Sequence, residues 1–495
     1  MNARTGSRAG ANGSGKCRSM SKTMKPTDLP ADLSSSSEHR VERADISSEA
    51  SRCVACGLCL PHCPTYRITL SEADSPRGRI ALIGGVTAGR IPINERFALH
   101  MDRCLTCRAC ESVCPNEVRF GPLMDAARTM LESPRNGFRG EQVRRRSGLR
   151  KWIEREFIAK PARLDTLRPL LRLYQNSGLQ KWVRKSRLLY GTRLAALEMQ
   201  LPSIDKPATS SGRINAARWR EIYPASARSM QPRGEIGLFL GCVARLTDAA
   251  TLNAAIFVLN RLGYTVHVPD TQTCCGALHQ HSGDRITAEK LALENVAAFN
   301  SLNLDSILST ASGCGVQLAE YGLSPFSETS SLRSHAGDNA AGSLLAGRPT
   351  LKKLSVKVMD ISAFLAAAEG WDEVTLVPLP HKIAVHEPCT LRNVLRGSAH
   401  VYSLLARIPG AVVAPLAGND QCCGAAGTYF IDQSEMAAAL LHDKMSAIKA
   451  SGARYLATSN VGCAMQMGAA LREAGSEIEV VHPVTLMARQ MGIQL

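Results

Sequence analysis

Sixteen of the 17 cysteines stand in patterns suited to metal chemistry; Cys17 alone does not. Cys53, Cys56, Cys59 and Cys63 follow C-x2-C-x2-C-x3-C-P, and Cys104, Cys107, Cys110 and Cys114 repeat it, with Pro64 and Pro115 closing the runs. Three thiolates spaced this way on a curled loop reach three irons of one cubane, while backbone N–H groups point at its sulfurs. Proline then redirects the chain, so the fourth cysteine of each run serves the other cluster. The spacing predicts one 4Fe–4S cluster on Cys53, Cys56, Cys59 and Cys114, and a second on Cys63, Cys104, Cys107 and Cys110. Zinc knuckles also use CxxC, but a third cysteine at the same spacing followed by Cys-Pro suits zinc poorly. His62, inside the first run, reads as a surface or supporting residue.

The other eight cysteines form a duplicated set. Cys242, Cys274, Cys275 and Cys314 recur as Cys389, Cys422, Cys423 and Cys463, at a nearly constant step, which marks an internal repeat. Apolar runs that read as strands precede them: 236–240 before Cys242, 307–310 before Cys314, 383–385 before Cys389 and 455–458 before Cys463. Cysteines just past strand C-termini converge on the crevice where open parallel sheets bind ligands. Gly276 and Gly424, directly after the Cys pairs, permit tight turns there. Adjacent cysteines are poor disulfide partners but natural co-ligands of a polynuclear centre. Each copy is thus a candidate cluster site; a four-cysteine zinc site and inert buried thiols are the alternatives. His386, three residues before Cys389, reads as an ordinary buried histidine or as a group that tunes a cluster or relays a proton.

The elements that must position these thiols fall into five segments. A chain of 495 residues has room for about three domains. Residues 1–45 read as a disordered tail rich in Ser, Gly and Arg; within it Gly10–Cys17 imitates a phosphate loop, but Cys17 replaces the Ser/Thr and no strand precedes it. Residues 46–133 form a helical ferredoxin-type two-cluster domain, with 76–99 read as helix. Residues 134–233 form a basic helical connector, with a stripe at Leu149, Trp152, Ile153 and Phe157 and breaks at Pro161, Pro169 and Pro202. Residues 234–370 and 371–495 are two repeated α/β modules, the first carrying a surface insertion at 324–348. The fold class is mixed α+β and α/β.

The connector holds 23 basic and 7 acidic side chains and so accounts for the whole net charge of +16. A charge so confined argues against a general nucleic-acid binder. Arginine beside tryptophan, centred on Arg144, Arg145 and Arg146, suits docking on anionic lipid or on a partner subunit. No secretory signal and no run of 18 apolar residues is present. The expectation is a cytoplasmic protein with reduced thiols, peripheral on the inner face of the cell membrane.

From about residue 48 to its end the chain resembles the iron–sulfur subunits of glycolate oxidase (glycolate dehydrogenase). The likeness is carried by CVACGLCLPHCPTY (53–66), SPRGRIALI (75–83), DRCLTCRACESVCP (102–115), ASGCG (311–315), PCTL (388–391), CCGAAGTY (422–429) and SNVGC (459–463). It implies a subunit of an oxidoreductase acting on CH–OH donors, in which a separate FAD subunit oxidises glycolate to glyoxylate and this chain passes electrons toward a membrane quinone. The residues agree, since no GxGxxG follows a strand and no flavin site is evident, so no catalytic residue is expected here. The architecture is more distantly similar to iron–sulfur subunits of glycerol-3-phosphate dehydrogenase and heterodisulfide reductase. A disulfide reductase-like subunit, or one serving a lactate or glycerol-3-phosphate dehydrogenase, is the alternative function. In heterodisulfide reductases each CCG module ends in CxxC and holds a five-cysteine cluster; here Gln317 and Gln466 occupy that last position.

Overall fold

The computed structural model describes residues 45–132, 148–186, 189, 192–201, 219–226, 232–322 and 348–493. The tail except Asp45, the Gly10–Cys17 segment, Arg144–Arg146, Pro202 and the 324–348 insertion except Arg348 lie outside them.

The first cysteine-rich part is helical. Pro64 and Pro76 open the helices Pro64–Thr69 and Pro76–Thr87, where a missing N–H costs nothing. The expected helix over 76–99 is two helices. After Thr87 the chain turns at Gly89, with φ of 70°, and the amides of Arg90 and Ile91 both return to the Gly85 carbonyl. Asn94 then caps Glu95–Asp102 by accepting from the Phe97 amide at 2.9 Å. These helices pack on Phe120–Glu132 through Ile83, Phe97, Met101, Leu123 and Met124.

The repeat seen in the cysteines is a repeat of structure. The first sheet contains β1 (Ile222–Tyr223), β2 (Gly234–Phe239), β3 (Tyr264–His267), β4 (Ser306–Ser309) and β5 (Val358–Asp360), in the order β1-β3-β2-β4-β5. The second contains β6 (Lys382–Val385), β7 (Val412–Pro415), β8 (Tyr455–Ala457) and β9 (Glu479–Val481), in the order β7-β6-β8-β9. All pairings are parallel except that of β1 with β3. Omitting β1, the two orders coincide. The central strands are apolar because helices cover both faces. β1 comes from the segment read as connector, so the first module reaches upstream of residue 234.

The modules share one core about a pseudo-two-fold axis. Helix Ala249–Arg261 packs on Pro483–Gln490, while its repeat mate Ser398–Leu405 packs on Ile361–Ala367, the mate of 483–490. Hydrogen bonds cross the join from Ser312 N to Ser459 O (3.0 Å), from Asn460 Nδ2 to Ser312 Oγ (3.1 Å) and from the His482 ring to Thr310 O (3.0 Å).

The connector runs through helices Gly148–Ile153, Pro161–Asn176, Leu179–Ser186 and Arg193–Gln200. Pro161 does open a helix, but Pro169 lies inside one instead of ending it. The lost backbone hydrogen bond is tolerated where the helix is tied to the first module through Arg168 and through Arg245, which pairs with Asp165 at 2.6 Å. Many connector cations are internal fasteners. Arg150 binds Asp432 and Glu154, Lys151 binds Glu132, and Arg155 binds Asp284. Among the described residues no helix is long and apolar enough to cross a membrane.

Burial pushes the His482 imidazole down to about 3. Folding therefore excludes a proton that the unfolded chain takes up near pH 6.5. Stability falls as pH drops from 6.5 toward 3, by up to about 1.4 kcal/mol per pH unit from this group. Urea denaturation of His482→Gln at pH 7.5, 6.5 and 5.5 should show a flatter acid-side loss than the parent chain; parallel slopes would contradict this origin.

Candidate metal centres

The two C-x2-C-x2-C loops curl by the same backbone device. Ala55 and Gly57 flank Cys56 with φ of 54° and 87°, and Thr106 and Arg108 flank Cys107 with φ of 50° and 56°. Left-handed residues on both sides of the middle cysteine turn the three thiols to one side. Three of the four are not glycine, at a cost of about 1 kcal/mol or more each, which the surrounding contacts must offset. Cys53, Cys56, Cys59 and Cys114 line one pocket together with Cys110, Arg77, Ile80 and Phe120. The thiols face open space, as a cluster-holding set must. Cys63, Cys104, Cys107 and Cys110 are mutual neighbours: burial, then Cys107, Cys104 and Cys63, push the Cys110 thiol well up.

The SPRGRI stretch braces both loops. Ser75 caps its helix by accepting from Gly78 N at 3.0 Å. A Cβ on Gly78 would lie 1.9 Å from the Glu72 carbonyl, so no larger residue fits. Arg77 donates to the Ala55 carbonyl (2.9 Å) in the first loop and pairs with Glu72. Arg79, 1% exposed, pairs with fully buried Asp74 at 3.5 Å and donates to Thr65 Oγ1 at 3.1 Å and His100 O at 2.7 Å, with Nη1 3.9 Å from Cys63 Sγ. Asp74 also binds His100 and Arg103 at 2.8 Å each. The resemblance included this stretch, but only the structure shows that a buried ion network is its reason.

In the first α/β module, Cys242, Cys274 and Cys275 are buried and Cys314 half-buried, with Cys242 and Cys274 Sγ 3.4 Å apart. Cys242 follows β2, the Cys pair follows the loop after β3, and Cys314 opens helix Ser312–Ala319 after β4. In the second, Cys422, Cys423 and Cys463 are buried and Cys389 half-buried, with Cys423 and Cys463 Sγ 3.0 Å apart. Asn460 caps the helix Val461–Glu473 that carries Cys463. Gly276 and Gly424 adopt φ of 87° and 82°, and their amides point at Cys274 and Cys422 Sγ (3.5 and 3.4 Å).

Several of these buried thiols are held protonated when no metal is bound. Hydrogen bonding within the set and burial raise Cys242, Cys275, Cys389 and Cys423, while the bonds from Cys389 and Cys423 draw Cys422 well below the usual range. One thiolate held by its neighbours is a starting ligand; the others lose protons as metal binds. The donor sets fit iron–sulfur chemistry, all sulfur and largely shielded from water.

Three further residues stand around the second set, of which His386 and Gln466 were marked in the sequence and Lys444 was not. His386 is buried, its Nδ1 3.0 Å from Thr458 Oγ1, and a ring nitrogen lies within 4.8 Å of Cys423 and Cys463 Sγ. Lys444, 1% exposed, donates to the Gly418 carbonyl beside the thiols. Gln466 is buried and accepts from Gln200 of the connector. Lys444 sits in a long amphipathic helix with nothing local to mark it; His386 was marked only by its nearness to Cys389.

Replacing Arg79 with Met leaves Thr65 Oγ1 and the His100 carbonyl without their buried donor and Asp74 with Arg103 and His100 alone, so a loss of about 1–3 kcal/mol is expected. Chemical denaturation of Arg79→Met, with iron retention followed on the same samples, should show lower stability and release of iron; parent-like values in both would contradict the brace.

Comparison with known proteins agrees with this layout. A 4Fe-4S dicluster domain model matches 49–118, a glycolate oxidase iron-sulfur subunit linker-region model matches 145–201, and a cysteine-rich domain model matches twice, at 236–319 and 383–468. A probable glycolate oxidase iron-sulfur subunit of Bacillus subtilis (strain 168) is 33% identical, over 91% of this chain and 96% of its own. The glycolate oxidase iron-sulfur subunit of Escherichia coli (strain K12) is 28% identical over 87% and 93%. Lactate utilization protein A of Shouchella clausii (strain KSM-K16) is 26% identical over 50% of this chain and 95% of its own. With two cysteine-rich repeats, a dicluster domain and the linker region between them, the chain belongs to the glycolate oxidase iron–sulfur subunit family.

Proposed function

We propose that this subunit carries electrons from an FAD subunit, which oxidises glycolate to glyoxylate, toward a membrane quinone. In this reading Cys53, Cys56, Cys59 and Cys114 hold one 4Fe–4S cluster and Cys63, Cys104, Cys107 and Cys110 a second. Cys242, Cys274, Cys275 and Cys314, and Cys389, Cys422, Cys423 and Cys463, hold one further cluster each. Bound there, such clusters supply the single-electron steps between a two-electron flavin and a quinone.

The observation that carries the reading is the contact between the second ferredoxin-type loop and the second CCG site. Asn393 Nδ2 donates to the Cys107 carbonyl at 2.8 Å, and Tyr429 Oη donates to the Arg103 carbonyl at 2.9 Å. Leu105, Cys107, Cys389, Cys422 and Tyr429 share one apolar cluster. Burial, then the nearby Cys422, raise the Cys107 thiol, so the two sets of sulfur sense each other's charge. Adjacent carriers with a dry, rigid contact between them are what a relay needs. A disulfide reductase needs an open face on its reactive centre. The burial of Cys422, Cys423 and Cys463, and the engagement of Gln466 by Gln200, favour the relay.

The connector supports a peripheral membrane contact. Trp152, Leu170, Leu173 and Trp182 are exposed there beside Lys and Arg, a combination that suits an anionic lipid surface.

The isolated chain should purify brown, with about eight iron atoms or more, and reduce no dye with glycolate until a flavoprotein subunit is added; glycolate oxidation by the chain alone would overturn the division of labour. Reversing Arg144, Arg145 and Arg146 to Glu should reduce co-sedimentation with anionic vesicles several-fold at unchanged cluster absorbance. Equal sedimentation would remove the membrane contact.

A further inference from the structure

We propose that His386 donates a ring nitrogen to iron at the second CCG site, so that the two repeats hold chemically different centres. This rests on the reading above that the site holds an iron–sulfur cluster.

Geometry places the ring among the thiols. A ring nitrogen, Cys423 Sγ and Cys463 Sγ all lie within 4.8 Å of one another, and all three residues are buried. Nδ1 is engaged by Thr458 Oγ1 at 3.0 Å, and the His386 amide donates to the Ala457 carbonyl at 2.9 Å. Ligating histidines are typically held through their other ring nitrogen in this way, which leaves Nε2 for the metal.

The first repeat lacks the donor. The step that carries Cys242 to Cys389 carries Phe239 to His386. Phe239 is 1% exposed and packs on the Phe299 ring at 6.4 Å, so this position offers the first site no ligand atom. A second exchange accompanies the first. Gly276 abuts Ala288 and Gly424 abuts Ala437, and in that register Lys444 replaces Asn295. Asn295 donates to the Cys274 carbonyl and accepts from Thr273 N. Lys444 instead brings an ammonium beside Cys422, Cys423 and Cys463.

The residue that would end a CxxC in the second copy, Gln466, is turned to Gln200. The set therefore has four thiols and one imidazole. With four thiolates in each copy, the added nitrogen brings no further negative charge and the buried cation beside it offsets part of theirs, which raises the reduction potential of this centre above that of the first. The centre that touches the Cys107 loop would then be the electron sink of the pair.

The test uses the full chain purified anaerobically with its clusters, with and without 15N-histidine labelling. Pulsed EPR of the reduced protein should show a strongly coupled nitrogen that responds to the label. The coupling should vanish in His386→Phe and His386→Cys, and in His386→Cys, where a thiolate replaces the neutral nitrogen, the midpoint potential of one centre should fall while the others stay in place. His386→Cys keeps a ligand, so together with labelling of the parent chain it decides the matter if His386→Phe folds poorly. A centre that is lost in Cys389→Ser but shows no coupled nitrogen in the parent, and keeps its potential in His386→Cys, would overturn the proposal alone. If Cys389→Ser changes neither iron content nor any EPR signal, or if the site carries zinc, the cluster reading falls and takes this proposal with it.

Discussion

Sixteen thiols gathered into four sets concentrate negative charge inside a protein once they become thiolates, and the rest of the fold is built around that constraint. A buried anion is tolerated only where donors and cations meet it. Around the first two sets these are loop amides presented by left-handed residues and the guanidinium of Arg79, held by Asp74, Thr65 and His100. Arg128 adds a second buried brace, donating to the carbonyls of Met101 (3.0 Å) and Cys104 (2.6 Å). Around the fourth set it is the ammonium of Lys444.

What was legible in the chain was whatever a local period encodes. The two C-x2-C-x2-C runs, the step between the CCG copies and the apolar runs before each cysteine all reflect geometry within a few residues, and β2, β4, β6 and β8 stand where those runs are. Effects that depend on distant neighbours were not legible. Ala55, Thr106 and Arg108 carry no glycine to announce their left-handed backbone; Arg108 is kept there by Glu111 and by Glu320, 212 residues away. The break between helices at Gly89 and the passage of a helix through Pro169 are likewise decided by packing that overrides local preference. β1 escaped notice because two residues pairing on an edge leave no periodicity.

The basic connector changes meaning for the same reason. Its surplus of Arg and Lys is conspicuous along the chain, but in space Arg150, Lys151, Arg155 and Arg184 each face a carboxylate, three of them on other segments. Arg472 of the second module in turn donates to the connector carbonyls of Met199 and Leu201. The connector is a strap that ties the dicluster part to both modules. Net charge reports where the acids are missing locally, not whether the bases are free.

Duplication then raises the question of how two equal halves would serve the one-way relay proposed above. The dicluster part touches both modules at repeat-related residues: His281 meets Asp125 at 3.0 Å, and Tyr429, one step of the repeat later, meets the Arg103 carbonyl at 2.9 Å. A part without that two-fold symmetry, seated across a pseudo-two-fold axis, cannot present the same surface to both sides. It offers the helix Phe120–Glu132 and the Arg108 side chain to the first copy, and the Leu105 and Cys107 side of the Cys104–Cys110 loop to the second. Once Cys107 packs against Cys389 and Cys422 of one copy while Arg108 turns its charge to Glu320 of the other, the two crevices experience different electrostatic demands. Phe239 and Asn295 on one side, and His386 and Lys444 on the other, are the kind of divergence that difference permits. The seating of the dicluster part is therefore what turns a repeated fold into a directional one.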